Sequence, residues 1–223
     1  RRRRPLQLLL PLVRLGAGGD DGGLVRALRL AHLGHTLLIE LFALHQMIRA
    51  EAIDLISARI VSRADSVHRW VALLGALVRS QPSGLLELTH KLRALVEHVL
   101  ELPLSVARPL LATLIPLHAQ RPELREQLVL LLRKAMFHRE EEIRLTAVHG
   151  FMLLLHASDG ATDADSHIQL ELLGFVRRAF TQQAKIRVVL YEGLVAAYAM
   201  QPSLRELILD LLGRQLRAMY VPV

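Results

Sequence analysis

Arg121-Pro-Glu-Leu-Arg-Glu-Gln-Leu-Val-Leu-Leu-Leu-Arg-Lys-Ala-Met-Phe137 opens on a proline and keeps a helical period to its end. Proline suits the first turn of a helix because its missing N–H would be unpaired there in any case. At about 100° per residue, Leu124, Leu128, Leu131 and Ala135 form one core-facing stripe. Lys134 falls beside that stripe, with Leu130 four residues before it and Phe137 three after. Those two are its nearest neighbours on a helix surface, and both are apolar. A lysine in that setting is expected to lose hydration, which disfavours the ammonium form, lowers its pKa and makes the amine a better nucleophile. The same position also suits a lysine that carries its head past greasy neighbours into water. Residue types alone leave both readings open.

The proline at the head of this stretch has counterparts along the chain. Gln81-Pro82-Ser83, Arg121-Pro122-Glu123 and Gln201-Pro202-Ser203 are spaced by 40 and 80 residues, and the missing beat falls near 162. Further breaks are expected at Ala64-Asp65-Ser66, Pro103, His138-Arg139, Ser158 to Ser166 and Thr181-Gln182-Gln183. A 40-residue beat with a second break midway is what stacked helical hairpins produce. The expected fold is all-α: an α-solenoid of antiparallel helix pairs, HEAT- or armadillo-like, with about ten helices. Residues 1–23 stand apart, with Arg1 to Arg4, a leucine-rich patch and then Gly16-Ala-Gly-Gly-Asp-Asp-Gly-Gly23. They read as a poorly specified lead-in and a flexible linker.

Composition agrees with helices. Hydrophobic residues make up 52% of the 223 and aromatics 4%, while leucine, alanine, arginine and valine dominate. There is no cysteine, which removes disulfides, thiolate zinc sites and a cysteine nucleophile together. No uncharged apolar run reaches the ~18 residues of a membrane span, and Arg1 to Arg4 with its short apolar run does not make a signal peptide. The sequence does not begin with methionine, and it reads as an excerpt of a longer protein.

Net charge is +7, with 25 arginines against three lysines, Lys91, Lys134 and Lys185. A balance of that size favours polyanions, although arginine-rich codon usage would produce it as well. The candidate phosphate contacts are Arg177, Arg178, Lys185 and Arg187 around one helix junction, and Arg214 and Arg217 on the last helix. With nine aromatics, base stacking is not expected, so such binding would be sequence-independent and salt-sensitive. A solvated basic face needs no ligand at all. No phosphate-binding glycine loop, G-x-S-x-G or H-E-x-x-H is present, so neither enzyme activity nor a cofactor is expected. His32 and His35 lack a carboxylate at a useful spacing, so no metal is expected either. Glu140-Glu-Glu142 opens a helix, where carboxylates complement the dipole, and Glu140 is expected to pair with Arg144.

Three groups of residues carry a resemblance. The first is Leu132-Arg-Lys-Ala-Met-Phe137 with Ala147-Val-x-Gly-Phe-x-Leu-Leu-Leu155. The second is His45-x-Met-Ile-Arg-x-Glu51 with Arg59-Ile-Val-Ser-Arg-Ala64, and the third is Gln182-Gln-Ala-x-x-Arg-x-x-Leu-Tyr-Glu-Gly193. In order and approximate spacing they resemble the Fanconi anaemia group I family, across residues ~24–157 and ~167–222. The resemblance implies a nuclear DNA-repair scaffold of interstrand crosslink repair, paired on DNA with its Fanconi group D2 paralogue. It implies that Lys134 accepts a single ubiquitin from a RING ligase and its conjugating enzyme. It also implies a solenoid segment over 24–157, a loop over 158–166, and the start of a following helical domain over 167–223. The family's loop carries Ser-Gln kinase sites. Here Ser158-Asp-Gly-Ala-Thr-Asp-Ala-Asp-Ser-His167 has none, so phosphorylation control does not carry over; Asp159, Asp163 and Asp165 either supply fixed negative charge in its place or simply make a solvated acidic loop. A reading from another class is a helical-repeat adaptor that binds a protein groove and is never modified.

Overall fold

A computed structural model describes residues 21–63, 66–158 and 163–220. The described residues form eleven α-helices and no strand. The chain divides into two compact units, 1–98 and 99–223.

The first unit holds α1 (Asp21–Leu44), α2 (Gln46–Val61), α3 (Val67–Ser80), α4 (Pro82–Leu86) and α5 (Thr89–Glu97). The helix begins three residues earlier than the expected linker allows, because Asp21 to Gly23 already have helical backbone. The rest of the expected lead-in lies outside the described residues. Phe42, Ile53, Ile56, Trp70, Leu74 and Leu85 are among the side chains that fill the core. An arginine closes the first turn. Arg49 Nε donates to the carbonyl of Phe42 at 3.0 Å, Nη2 to that of Ala43 at 3.3 Å, and Nη1 to Glu87 at 3.0 Å. The last carbonyls of a helix have no partner within it, and a guanidinium supplies two donors at once.

The second unit holds α6 (Leu104–Gln120), α7 (Pro122–Ala135), α8 (Glu141–Ala157), α9 (Asp163–Ala179), α10 (Ala184–Met200) and α11 (Arg205–Met219). Pro82 and Pro122 open helices and Pro202 opens a 3₁₀ turn, each at its first position. The fourth beat, near 162, lies outside the described residues. The expected loop over 158–166 is shorter than the residue types suggested, since α9 starts at Asp163.

α8 lies at the centre of this unit and packs against α6, α7, α9 and α10. Two glycines let its neighbours come close. A Cβ on Gly150 would sit 2.7 Å from the Leu132 methyls of α7, and one on Gly193 of α10 would sit 2.5 Å from Met152 Cγ of α8. The aromatic rings of Phe151 and Phe175 stack at 5.2 Å between centroids, joining α8 to α9. Among the described residues no helix is long and apolar enough to cross a membrane.

His118 of α6 is buried, with Nδ1 2.8 Å from the carbonyl of Leu114 and Nε2 unpaired. Burial holds its pKa below the ordinary 6.5, against a smaller upward pull from the Leu114 hydrogen bond. Burial lowers His35 and His149 as well. The unfolded chain takes up these protons near pH 6.5 and the fold resists them. Stability is therefore full above that value and is lost as pH falls through it toward the lowered folded values. Denaturant midpoints measured from pH 7.5 down to 5 are expected to decline, and His118→Leu to flatten the decline.

Candidate functional site

Lys134 sits in the last turn of α7, where a positive charge complements the negative end of the helix dipole. Its side chain is exposed, and its neighbours are too, Leu130 at 47% and Phe137 at 67%. The expected loss of hydration is therefore not found, because the apolar pair stands in water instead of enclosing the amine. The register explains it. Leu124, Leu128, Leu132 and Ala135 are buried while Leu131 is half-buried, so the core stripe runs through Leu132 and not Leu131. Leu132 lies about 160° around the helix from Lys134, whereas Leu131 lies about 60° from it.

Exposure alone does not single out an amine, but pairing does. Lys91 is bonded to Asp54 of α2, and Lys185 to Glu141 at 2.9 Å. The hydrogen bond that Lys185 donates to Glu141, and then the negative charge of Glu141, raise the amine above its ordinary pKa and hold its proton more firmly. Among the described residues Lys134 is the lysine that enters no ion pair.

The turn after Lys134 is tied down from outside its helix. Arg144, expected to pair with Glu140, instead turns inward. The residue is 9% exposed, and its guanidinium donates from Nη1 to the carbonyls of His138 at 2.6 Å and Arg139 at 2.7 Å. Nη2 donates to Gln183 Oε1 at 3.0 Å. Gln182 Nε2 donates to the carbonyl of Met136 at 3.4 Å, and the Lys185–Glu141 pair adds a third link. These bonds join the α7–α8 turn to the α9–α10 turn. An inward arginine bonded to carbonyls leaves no residue pattern to read, which is why it was missed.

The basic candidates divide. Arg177 and Arg178 at the end of α9, with Lys185 and Arg187 at the start of α10, flank the turn tied to Lys134's own. Arg178 lies 6.0 Å from the Phe175 ring centroid, Arg187 is half-buried, and Lys185 is neutralised by Glu141. Arg214 and Arg217 sit apart on α11, the former paired with Asp210 at 2.6 Å and the latter donating to the carbonyl of Gly213. The structure thus brings four of the six together and offsets the charge of two.

Beside Lys134, a cleft of about 460 Å³ runs between α7 and α9, lined by Glu126, Leu130, Arg133, His167 and Glu171. A smaller hollow of about 210 Å³ shares Arg125, Val129 and Ile168 with it.

Helix pairs stacked in this way, with glycines at the close approaches, make the chain an all-α solenoid. It belongs to the Fanconi anemia group I family. Residues 16–152 match the family model described as FANCI solenoid 2, and residues 153–222 match FANCI helical domain 2. The chain is 29% identical over 217 residues to the Fanconi anemia group I protein of Gallus gallus, an alignment covering 85% of this chain. It is 30% identical over 217 residues, again 85% of the chain, to the Fanconi anemia group I protein homolog of Mus musculus. The chain spans 16% of the length of each of these relatives.

Proposed function

We propose that this chain is part of a nuclear DNA-repair scaffold of the Fanconi pathway, and that Lys134 is its ubiquitin acceptor. The supporting observation is the exposed amine of Lys134, unpaired where Lys91 and Lys185 are held by carboxylates. In the transfer, Nζ gives its proton to solvent and attacks the thioester carbonyl that joins ubiquitin to a conjugating enzyme. A carbon–nitrogen bond forms, the carbon–sulfur bond breaks, and the enzyme's cysteine thiolate leaves. The chain supplies the nucleophile, and a RING ligase supplies the charged donor.

Exposed Leu130 and Phe137, with the cleft alongside, give the acceptor face an apolar surface that suits a protein partner. The partner we propose is the group D2 paralogue. Ubiquitin attached beside that contact resists separation, because its own contacts must break together with the first set. The scaffold boundaries proposed are a solenoid segment over 24–157 and the next helical domain from 167. The test leaves one acceptor in the chain: Lys91→Arg with Lys185→Arg should keep full modification in a reconstituted reaction with ligase, partner and duplex DNA. A loss would show that Lys134 is not the target.

Contact with DNA is proposed through Arg177, Arg178 and Arg187, with Lys185, Arg214 and Arg217 weakened by their own pairs and backbone bonds. Arg177→Ala with Arg178→Ala should reduce the slope of log affinity against log salt by about 2, equally for unrelated sequences. An unchanged slope would remove these residues from the interface. The unmodified adaptor reading is favoured by the α7–α9 cleft alone, and a ubiquitin remnant on Lys134 would exclude it.

A further inference from the structure

We propose that Gln183 and Gln182, acting with Arg144, form a clasp that positions Lys134 for ubiquitin transfer; this rests on Lys134 being the acceptor. The C-cap residue of α7, Met136, keeps an ordinary helical bond from its N–H to the Leu132 carbonyl at 3.0 Å. Beyond Met136 the backbone bonds are of the tight i,i+3 kind, with Phe137 N to the Lys134 carbonyl at 3.3 Å and His138 N to the Ala135 carbonyl at 3.0 Å. A helix end held in that way frays unless its free carbonyls find donors elsewhere.

The donors come from α8 and from the α9–α10 turn. Arg144 holds the carbonyls of His138 and Arg139, and Gln182 holds that of Met136. Gln183 in turn fixes the guanidinium by accepting from Nη2 at 3.0 Å. The bonded carbonyls lie two, four and five residues beyond Lys134, so the clasp sets where the α7 end points. Arg49 closes the α1–α2 turn with the same chemistry, bonding Phe42, Ala43 and Glu87, and no lysine stands on that turn. At α7 the same device adjoins an exposed lysine. It fixes the direction from which the amine meets a thioester that must be approached in a defined geometry. These are positioning residues, because none of them touches the donor.

Arg144 is too buried to replace without unfolding the unit, whereas Gln183 is exposed and Gln182 half-buried. The test uses the full-length protein with its partner, ligase and ubiquitin-charged conjugating enzyme. Gln182→Ala with Gln183→Ala is expected to slow transfer at saturating conjugating enzyme on the order of tenfold, with little change in apparent KM. Amide hydrogen exchange over residues 136–139 should rise, while the thermal midpoint stays within a few degrees. Gln183→Glu keeps an acceptor for Nη2 and should retain the wild-type rate. An unchanged rate in the double variant, a rate loss without faster exchange, or a Gln183→Glu variant as slow as alanine would each overturn the clasp. Lys134→Arg run in parallel separates the two claims: persistent modification there refutes the acceptor assignment, whatever the glutamine variants do.

Discussion

Replacing Lys134 with arginine is expected to lower ubiquitin attachment to this chain on the order of 100-fold or more, with no loss of folded protein. A guanidinium does not release its proton at physiological pH and cannot attack the thioester. The fold does not register the change. Arginine is as good a helix former as lysine, keeps the positive charge at the C-terminal turn of α7, and stands in water as Lys134 does. Conjugate appearance on a gel over time, beside an unchanged denaturation curve, checks both halves. The two remaining lysines are expected not to compensate, since each is paired, Lys91 with Asp54 and Lys185 with Glu141.

Phe151→Ala is expected to have the largest effect on stability, about 3–5 kcal/mol. Phe151 is 1% exposed on the central helix, and its ring lies 5.2 Å from that of Phe175 with 24° between their planes. Truncation removes the transfer energy of the ring, leaves a cavity between α8 and α9, and strips Phe175 of its partner, worth about 0.5–1.5 kcal/mol of the total. Phe137→Ala is the internal contrast: at 67% exposure it should stay within about 0.5 kcal/mol. Urea denaturation reads both as shifts in midpoint at constant slope. A loss below about 1 kcal/mol for Phe151→Ala would mean that α8 does not organise the second unit.

The helices were legible where chemistry punctuates them. Pro82, Pro122 and Pro202 open elements where their missing N–H groups suggested, and the junctions at Pro103, His138 and Gln182 follow the residue types. Two breaks were not legible. His45 separates α1 from α2 and Leu88 separates α4 from α5 with no proline or glycine at the junction, and the first is held by Arg49 on the Phe42 and Ala43 carbonyls.

The helix that carries Lys134 shows the limit most clearly. Leu130, Leu131 and Leu132 are chemically equal, so periodicity alone cannot say which of them faces inward. Gly150 decides it. The missing Cβ on α8 opens the space that the Leu132 methyls occupy, and no other leucine of the run is placed against that gap. Choosing Leu131 put Lys134 at the edge of the core and kept a desolvated amine among the open readings, beside a lysine that reaches water. With Leu132 inside, Lys134 points to water, and its distinction becomes the absence of a salt bridge. Arg144 was misread for a related reason. Its visible partner was Glu140, four residues away, whereas its bonded partners are two carbonyls and Gln183, 39 residues on.

The residues carrying the family resemblance also gain a physical account. Gly150 and Gly193 are close-approach positions, and Gln182 and Gln183 bind the turn that follows Lys134. The motif containing the lysine and the motif containing the glutamines are about 50 residues apart in sequence and hydrogen-bonded in space.

Mass spectrometry of the protein purified from cells exposed to a DNA crosslinking agent bears most directly on the acceptor. After trypsin, the Gly-Gly remnant of ubiquitin should be found on Lys134, with Lys91 and Lys185 unmodified. A remnant on either of those two, with Lys134 bare, would contradict it.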